Sequence, residues 1–280
     1  MDHSMVKSPK EIVEYYIHNC ENKAKMPLLK LIILGIMAGA FIALGASGAA
    51  VASHMIENPG LAKTVAGLVF PVGLIIIVLF GLELFTSGTM MLMGVADKKY
   101  SIWKAISTLA IIYLSNMVGA ILIALALNTA GQFDFTEALG AYTIKVAVGK
   151  IHLDFGQALV SGILCNILVC GAVLLAATAK DVIGKIFAIL LPIFTFIISG
   201  FEHCVANMYY IPAGLIAMQN NTYVSKLTEL YPHYAESLSD LTWLNFFVVN
   251  LIPVTIGNII GGGCCIGLAM YYSFIKRDAK

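Results

Sequence analysis

GFEHCVANMYYIPAG, residues 200–214, sets a glutamate beside a histidine inside a stretch, 186–218, that carries no other charged residue. A charged side chain at mid-membrane depth on a helix costs about 2.5–3.5 kcal/mol on insertion scales, so it has to face a cavity or a partner rather than lipid. That depth matters here because the whole chain is apolar: 59% of its 280 residues are hydrophobic, 12% are charged and its mean hydropathy is +0.88. A water-soluble domain of that composition would lack the polar surface it needs, which makes this an integral membrane protein.

Six apolar runs are long enough to span a bilayer: 31–52, 64–95, 105–129, 155–179, 186–218 and 243–275. The second and fifth are too long for one straight crossing. At about 1.5 Å per residue they would reach roughly 48–50 Å, against a hydrocarbon core of about 30 Å. Each carries a glycine before an intramembrane acid, Gly81-Leu82-Glu83-Leu84 and Gly200-Phe201-Glu202-His203, and each is expected to break there. The sixth run holds Pro253 and Gly261-Gly262-Gly263 and is expected to leave the membrane at its tail.

The match extends to the other runs. Gly35-Ile36-Met37 recurs as Gly162-Ile163-Leu164, and Ser115-Asn116-Met117-Val118-Gly119-Ala120 recurs as Gly257-Asn258-Ile259-Ile260-Gly261-Gly262. The chain reads as a three-helix unit written twice. Because three is odd, the second copy enters from the opposite side, an inverted repeat about a midplane pathway. Repeat one covers 28–130 and repeat two 152–275, within a membrane domain of 28–276. Residues 1–27 form an N-terminal segment, and 277–280 form a tail.

Basic residues orient the chain. One set of alternate loops and tails holds 13 lysines and arginines and the other holds 4, which assigns both termini to the cytoplasm. No cleavable signal peptide is evident, since the first apolar run begins near residue 28. Within the N-terminal segment Ser8-Pro9-Lys10-Glu11 has the form of a capping box, and Ile12, Val13, Tyr16, Ile17 and Cys20 share one face. Residues 8–25 therefore read as an interfacial helix, lying on the inner surface or gating a pore. The six cysteines suit packing rather than a disulfide framework or a zinc site.

In the membrane, Glu83 and Glu202 are expected to tie up the free amides at the two breaks, with Asn116 and Asn258 as further support. His203 is left with two roles, a structural hydrogen bond or a donor to something in transit. A water or glycerol channel is disfavoured, because the only Asn-Pro pair, Asn58-Pro59, lies in a loop. An ammonium channel would want two facing histidines. A nucleophile and base made of Cys204 and His203 is disfavoured because helix neighbours point about 100° apart and no orienting acid or amide is identifiable.

GLELFTSGTM (81–90), GILCNILVC (162–170), GFEHCVANMYYIPAG (200–214) and NLIPVTIGNIIGG (250–262) together resemble the signature segments of the formate/nitrite transporter family. The resemblance runs from about residue 8 to 276. It implies an all-α, aquaporin-like protomer of six transmembrane helices with helices 2 and 5 interrupted. It also implies a homopentamer with one pore per protomer, in a prokaryotic cytoplasmic membrane. By position, His203 is the family's central histidine and Thr86 its facing loop threonine, hydrogen-bonded across the two breaks. Phe70, Leu74 and Phe196 take the outer hydrophobic constriction, and Leu84, Phe85 and Val169 the inner one. Lys150 takes the outer vestibule, followed by Asn166. The expected cargo is a small monovalent anion: hydrosulfide, favoured by whole-chain resemblance to the family's hydrosulfide-channel branch, including Cys204 and Tyr209-Tyr210, or formate or nitrite. Proton-coupled transport is the alternative to a passive channel. No enzyme activity, cofactor, metal or nucleic-acid partner is expected.

Overall fold

The computed structural model describes residues 6–276, and the predicted tail at 277–280 lies outside the described residues, as do residues 1–5. The apolar runs become the helices α2 (Leu28–Ser53), α3 (Pro59–Phe80) with α4 (Phe85–Ala96), α5 (Ile102–Thr129), α7 (Phe155–Thr178), α8 (Val182–Ser199) with α9 (Cys204–Ala217), and α11 (Trp243–Phe274). α1 (Pro9–Ala24) precedes them, α6 (Glu137–Ile151) sits between the halves, and α10 (Asn221–Leu230) follows α9. The sixth helix is not broken. It runs through Pro253 and the glycine triplet by widening into π-helical turns at Phe246–Leu251 and Ile260–Leu268.

Both expected breaks are present, at the expected residues. Gly81 ends the first half-helix at φ 67°, and Gly200 ends its counterpart at φ 71°. A left-handed cap of this kind is open to glycine at little steric cost. The chain then runs extended for a few residues and restarts with Leu84 and His203 in matching N-cap positions.

Interrupting a helix in an apolar setting exposes amides and carbonyls that need partners. Asn116 supplies them at the first break: its Oδ1 accepts from Phe85 N at 2.9 Å, and its Nδ2 donates to Glu83 O at 2.9 Å and to Gly35 O at 2.7 Å. Asn258 repeats the pattern, accepting from Cys204 N at 2.9 Å and donating to Glu202 O at 3.0 Å and Gly162 O at 2.8 Å. The matched glycines let the clamping helices close in. A Cβ on Gly35 would stand 2.6 Å from Ser115 Cβ, and one on Gly162 would stand 2.8 Å from Val254 O.

The glutamates do something other than expected. Their carboxylates do not cap the break amides, which the two asparagines occupy. Glu83 instead pairs with Lys23 at 2.7 Å, and Glu202 pairs with Lys150 at 2.9 Å. Glu202 Oε2 also accepts from Asn207 Nδ2 at 2.6 Å, and Asn207 Nδ2 reaches Asn250 Oδ1 at 2.8 Å. All four charged side chains are at most 16% exposed. An ion pair of this kind shields each carboxylate where water is scarce.

These pairs extend the repeat beyond the boundaries read from sequence. Lys23 lies near the end of α1 and Lys150 near the end of α6, and twelve residues separate each from its matched glycine, Gly35 or Gly162. Each repeat is thus a leading helix plus three membrane elements. α1 is also more firmly docked than an interfacial helix. Ile12, Val13, Tyr16, Ile17, Cys20 and Ala24 are buried against Met90, Met91, Met93, Cys170 and Leu174, and Tyr16 Oη donates to Ser87 O at 2.9 Å. The capping box is formed, with Glu11 N donating to Ser8 Oγ at 3.3 Å.

Two stability measurements follow. Lys150→Met strands a buried carboxylate and is expected to cost about 3–5 kcal/mol, with most of the loss recovered in the double variant Lys150→Met/Glu202→Gln. Thermal unfolding in detergent measures both, and equal losses in the single and double variants would contradict the pairing. Asn258→Ala leaves the Cys204 amide and the Glu202 carbonyl without partners and is expected to lower the melting temperature, at about 1–3 kcal/mol per stranded group. An unchanged melting temperature would mean the break is held another way.

Candidate functional site

His203 is placed by the second break. Its backbone is extended, φ −115° and ψ 115°, as an N-cap requires, and its Nδ1 accepts from Ala206 N at 3.0 Å in place of the usual serine or aspartate oxygen. An accepting Nδ1 fixes the tautomer: the ring proton of the neutral imidazole is on Nε2. Nε2 lies 3.0 Å from Thr86 Oγ1, so Nε2–H donates to the threonine oxygen and leaves the threonine O–H free to donate onward. Thr86 stands in the first turn of α4 rather than in a loop.

Thr86 is braced from behind. Its carbonyl accepts from Asn166 Nδ2 at 3.1 Å and from Thr89 Oγ1 at 2.6 Å, while Asn166 Nδ2 also reaches Asn258 O at 2.6 Å. One hydrogen bond therefore joins the two half-helices, and a buried amide network sets its position. Asn166 was assigned to the pathway, but its amide is spent on this network and it lines neither of the spaces described next.

A vestibule of about 950 Å³ opens from one face of the protein and narrows to Phe70, Phe196 and His203. The two phenylalanine rings meet edge to face with centroids 5.5 Å apart, and Phe196 lies 6.1 Å from the His203 ring. Behind them is a second space of only about 10 Å³, lined by Ile42, Phe70, Leu74, Leu84, Val169, Ile193, Phe196 and His203. That volume is about one water probe, so a polyatomic solute passes only when side chains move.

Phe70, Leu74, Phe196, Leu84 and Val169 are therefore brought together around His203. Phe85 is not among them, since it turns away to stack against Tyr113 with centroids 4.7 Å apart. The reason is local. Leu84 is the last extended residue and Phe85 the first helical one, so adjacent side chains diverge. Ile42 and Ile193 were missed, having nothing to distinguish them from other apolar residues in their spans. Also missed were Lys63 and Lys145, which line the vestibule and had served only to orient the chain.

Chemically, His203 lines both spaces but spends its Nε2–H on Thr86, so the donor left for a solute that has left water is the Thr86 hydroxyl, which itself stands just outside the lining of both spaces. The site offers no arranged nucleophile. Cys204 is fully buried, lines neither space, and gives its backbone amide to Asn258. Among the described residues no three His, Cys, Asp or Glu side chains converge as metal ligands.

Comparison with known proteins identifies the architecture. The family model described as "Formate/nitrite transporter" matches residues 10–272. The "Probable formate transporter" of Methanothermobacter thermautotrophicus is 39% identical over 98% of this chain and 99% of its own length. "Formate channel FocA" of Haemophilus influenzae is 38% identical, covering 96% of this chain and 95% of its own. Among solved structures, a "Pentameric formate channel with formate bound" superposes with a TM-score of 0.78 at 32% identity, over 89% of this chain and 98% of that one. An "FNT family ion channel" gives a TM-score of 0.81 at 26% identity, over 94% and 98%. With a matched family model over nearly the whole chain and relatives 38–39% identical from end to end, this chain belongs to the formate/nitrite transporter family of membrane transport proteins.

Proposed function

We propose that the chain forms a homopentameric channel for small monovalent anions, formate foremost, with one pore through each protomer. Formate is favoured by its relatives, among them a formate transporter and formate channels; nitrite is compatible in size and charge. Hydrosulfide has less support, because Cys204, one of the residues behind that preference, is packed away from both spaces. The cytoplasmic membrane of a prokaryote, with both termini inside, is the location consistent with the relatives' sources and with the distribution of lysine and arginine, 13 against 4.

The observation that carries this reading is the His203–Thr86 hydrogen bond at the floor of the vestibule. An anion gathered at the mouth sheds water at the Phe70–Phe196 ring pair and meets the Thr86 hydroxyl, oriented by His203 Nε2–H. That donor replaces part of the lost hydration, which is what a charge needs on moving into an apolar space. A second mode, proton-coupled transport, is favoured by one feature. The space behind the rings is small and almost wholly apolar, and a neutral acid crosses such a space at less cost than its anion.

Proteoliposome flux of formate, nitrite, hydrosulfide and chloride, with internal pH recorded, tests both modes. Formate flux that follows its electrochemical gradient without obligatory proton movement is the expected result, whereas a fixed proton stoichiometry would establish the coupled mode. Thr86→Val keeps the shape and removes the donor, so formate flux is expected to fall about tenfold or more, equivalent to about 1.4 kcal/mol, with assembly intact. Unchanged flux in this variant would remove the hydroxyl from the pathway. His203→Ala is expected to alter selectivity or conduction without dispersing the oligomer, and loss of the oligomer would assign the histidine a purely structural role.

A further inference from the structure

The vestibule is far larger than the pathway needs. Its volume of about 950 Å³ falls in the range of sites for small organic ligands, about 300–1,000 Å³, while the space beyond the rings holds about 10 Å³. Among the described residues the lysines lining it are Lys63, Lys145, Lys150 and Lys226. Two of them are already matched, Lys150 by Glu202 at 2.9 Å and Lys226 by Glu229 at 3.0 Å. Lys150, the residue assigned to attract anions, is thus largely neutralised.

Lys63 and Lys145 are different, for among the described residues neither forms an ion pair. Lys145 Nζ is held over the Tyr231 ring at 4.4 Å from its centroid, with the rings of Tyr142 and Tyr234 at 5.5 and 5.7 Å. A ring face fixes an ammonium through its quadrupole but carries no net charge, so the full positive charge still acts on the cavity. Lys63 reaches over the second break, where its Nζ lies 2.9 Å from the place a Cβ on Gly200 would take, close above the floor. The Tyr142, Tyr210 and Tyr231 hydroxyls also belong to the lining and make no hydrogen bond among the described residues. Among the described residues the acids of the lining are Glu202, already paired, and Glu57.

We propose that this vestibule is a binding site for a soluble organic anion bearing two or more carboxylates, held between Lys63 and Lys145 and too large to pass the Phe70–Phe196 rings. A monovalent anion satisfies one ammonium at a time, whereas a polycarboxylate spans both and takes tyrosine donors on its remaining oxygens. Seated there, it covers the mouth. Conduction from that face would be lowered by the ligand even though the ligand never crosses.

Citrate is the probe, in two assays. Equilibrium binding of labelled citrate to the purified, detergent-solubilised oligomer is expected to be saturable and to weaken as ionic strength rises. Affinity is expected to fall about tenfold in Lys63→Gln and in Lys145→Gln, to be retained in Lys145→Arg, and to be unchanged in Thr86→Val. In proteoliposomes, citrate on the vestibule face is expected to depress formate flux, and citrate on the other face to leave it unaffected. Absence of saturable binding, affinity indifferent to ionic strength or to the lysine substitutions, or equal block from both faces would each overturn the site. The binding assay needs no transport, so a protein that binds citrate but passes no formate would refute the channel reading alone. One that passes formate and binds no citrate would refute this site alone.

Discussion

Everything in this protein depends on satisfying a backbone that has been interrupted inside an apolar medium. A broken helix at that depth needs partners for its loose amides and carbonyls, and water is not there to supply them. Asn116 and Asn258 solve this with a side chain that donates and accepts at once: each takes an amide from the restarted helix and gives protons to carbonyls from the broken end and from a third helix. A carboxylate could have accepted but not donated. The asparagines therefore serve the amides and the carbonyls together, and lysines from α1 and α6 hold the glutamates beside the breaks instead.

Seen this way, the leading helices are parts of the scaffold. α1 brings Lys23 beneath the first break and α6 brings Lys150 to the second, so each half of the fold contains its own counter-charge. At the breaks the halves differ in what they present. Leu84 and His203 hold equivalent N-cap positions, one closing the small apolar space and the other bringing an imidazole to it.

Much of this was legible in the sequence. The tetrapeptides at 81–84 and 200–203 stood out because glycine and an acid are rare together in an apolar run, and their recurrence with Gly35/Gly162 and Asn116/Asn258 exposed the inverted repeat. Direction was harder to read than position. Phe85 and Asn166 fall on the right elements but point elsewhere, since side-chain direction at a break depends on the dihedral angles of one or two residues. α6 escaped notice because its 15 residues are too short to span a bilayer and Lys145 and Lys150 lower its hydropathy. The Lys–Glu pairs were invisible for a related reason: residues 60 and 52 positions apart meet only after the helices have folded.

The matched N-caps separate two duties that many proteins assign to the same residues. The asparagine clamps carry the folding requirement and are duplicated, while the N-cap side chain is singular and differs between copies. A lineage descending from a duplicated ancestor could therefore revise what one break shows to a passing solute while the other half went on holding the architecture.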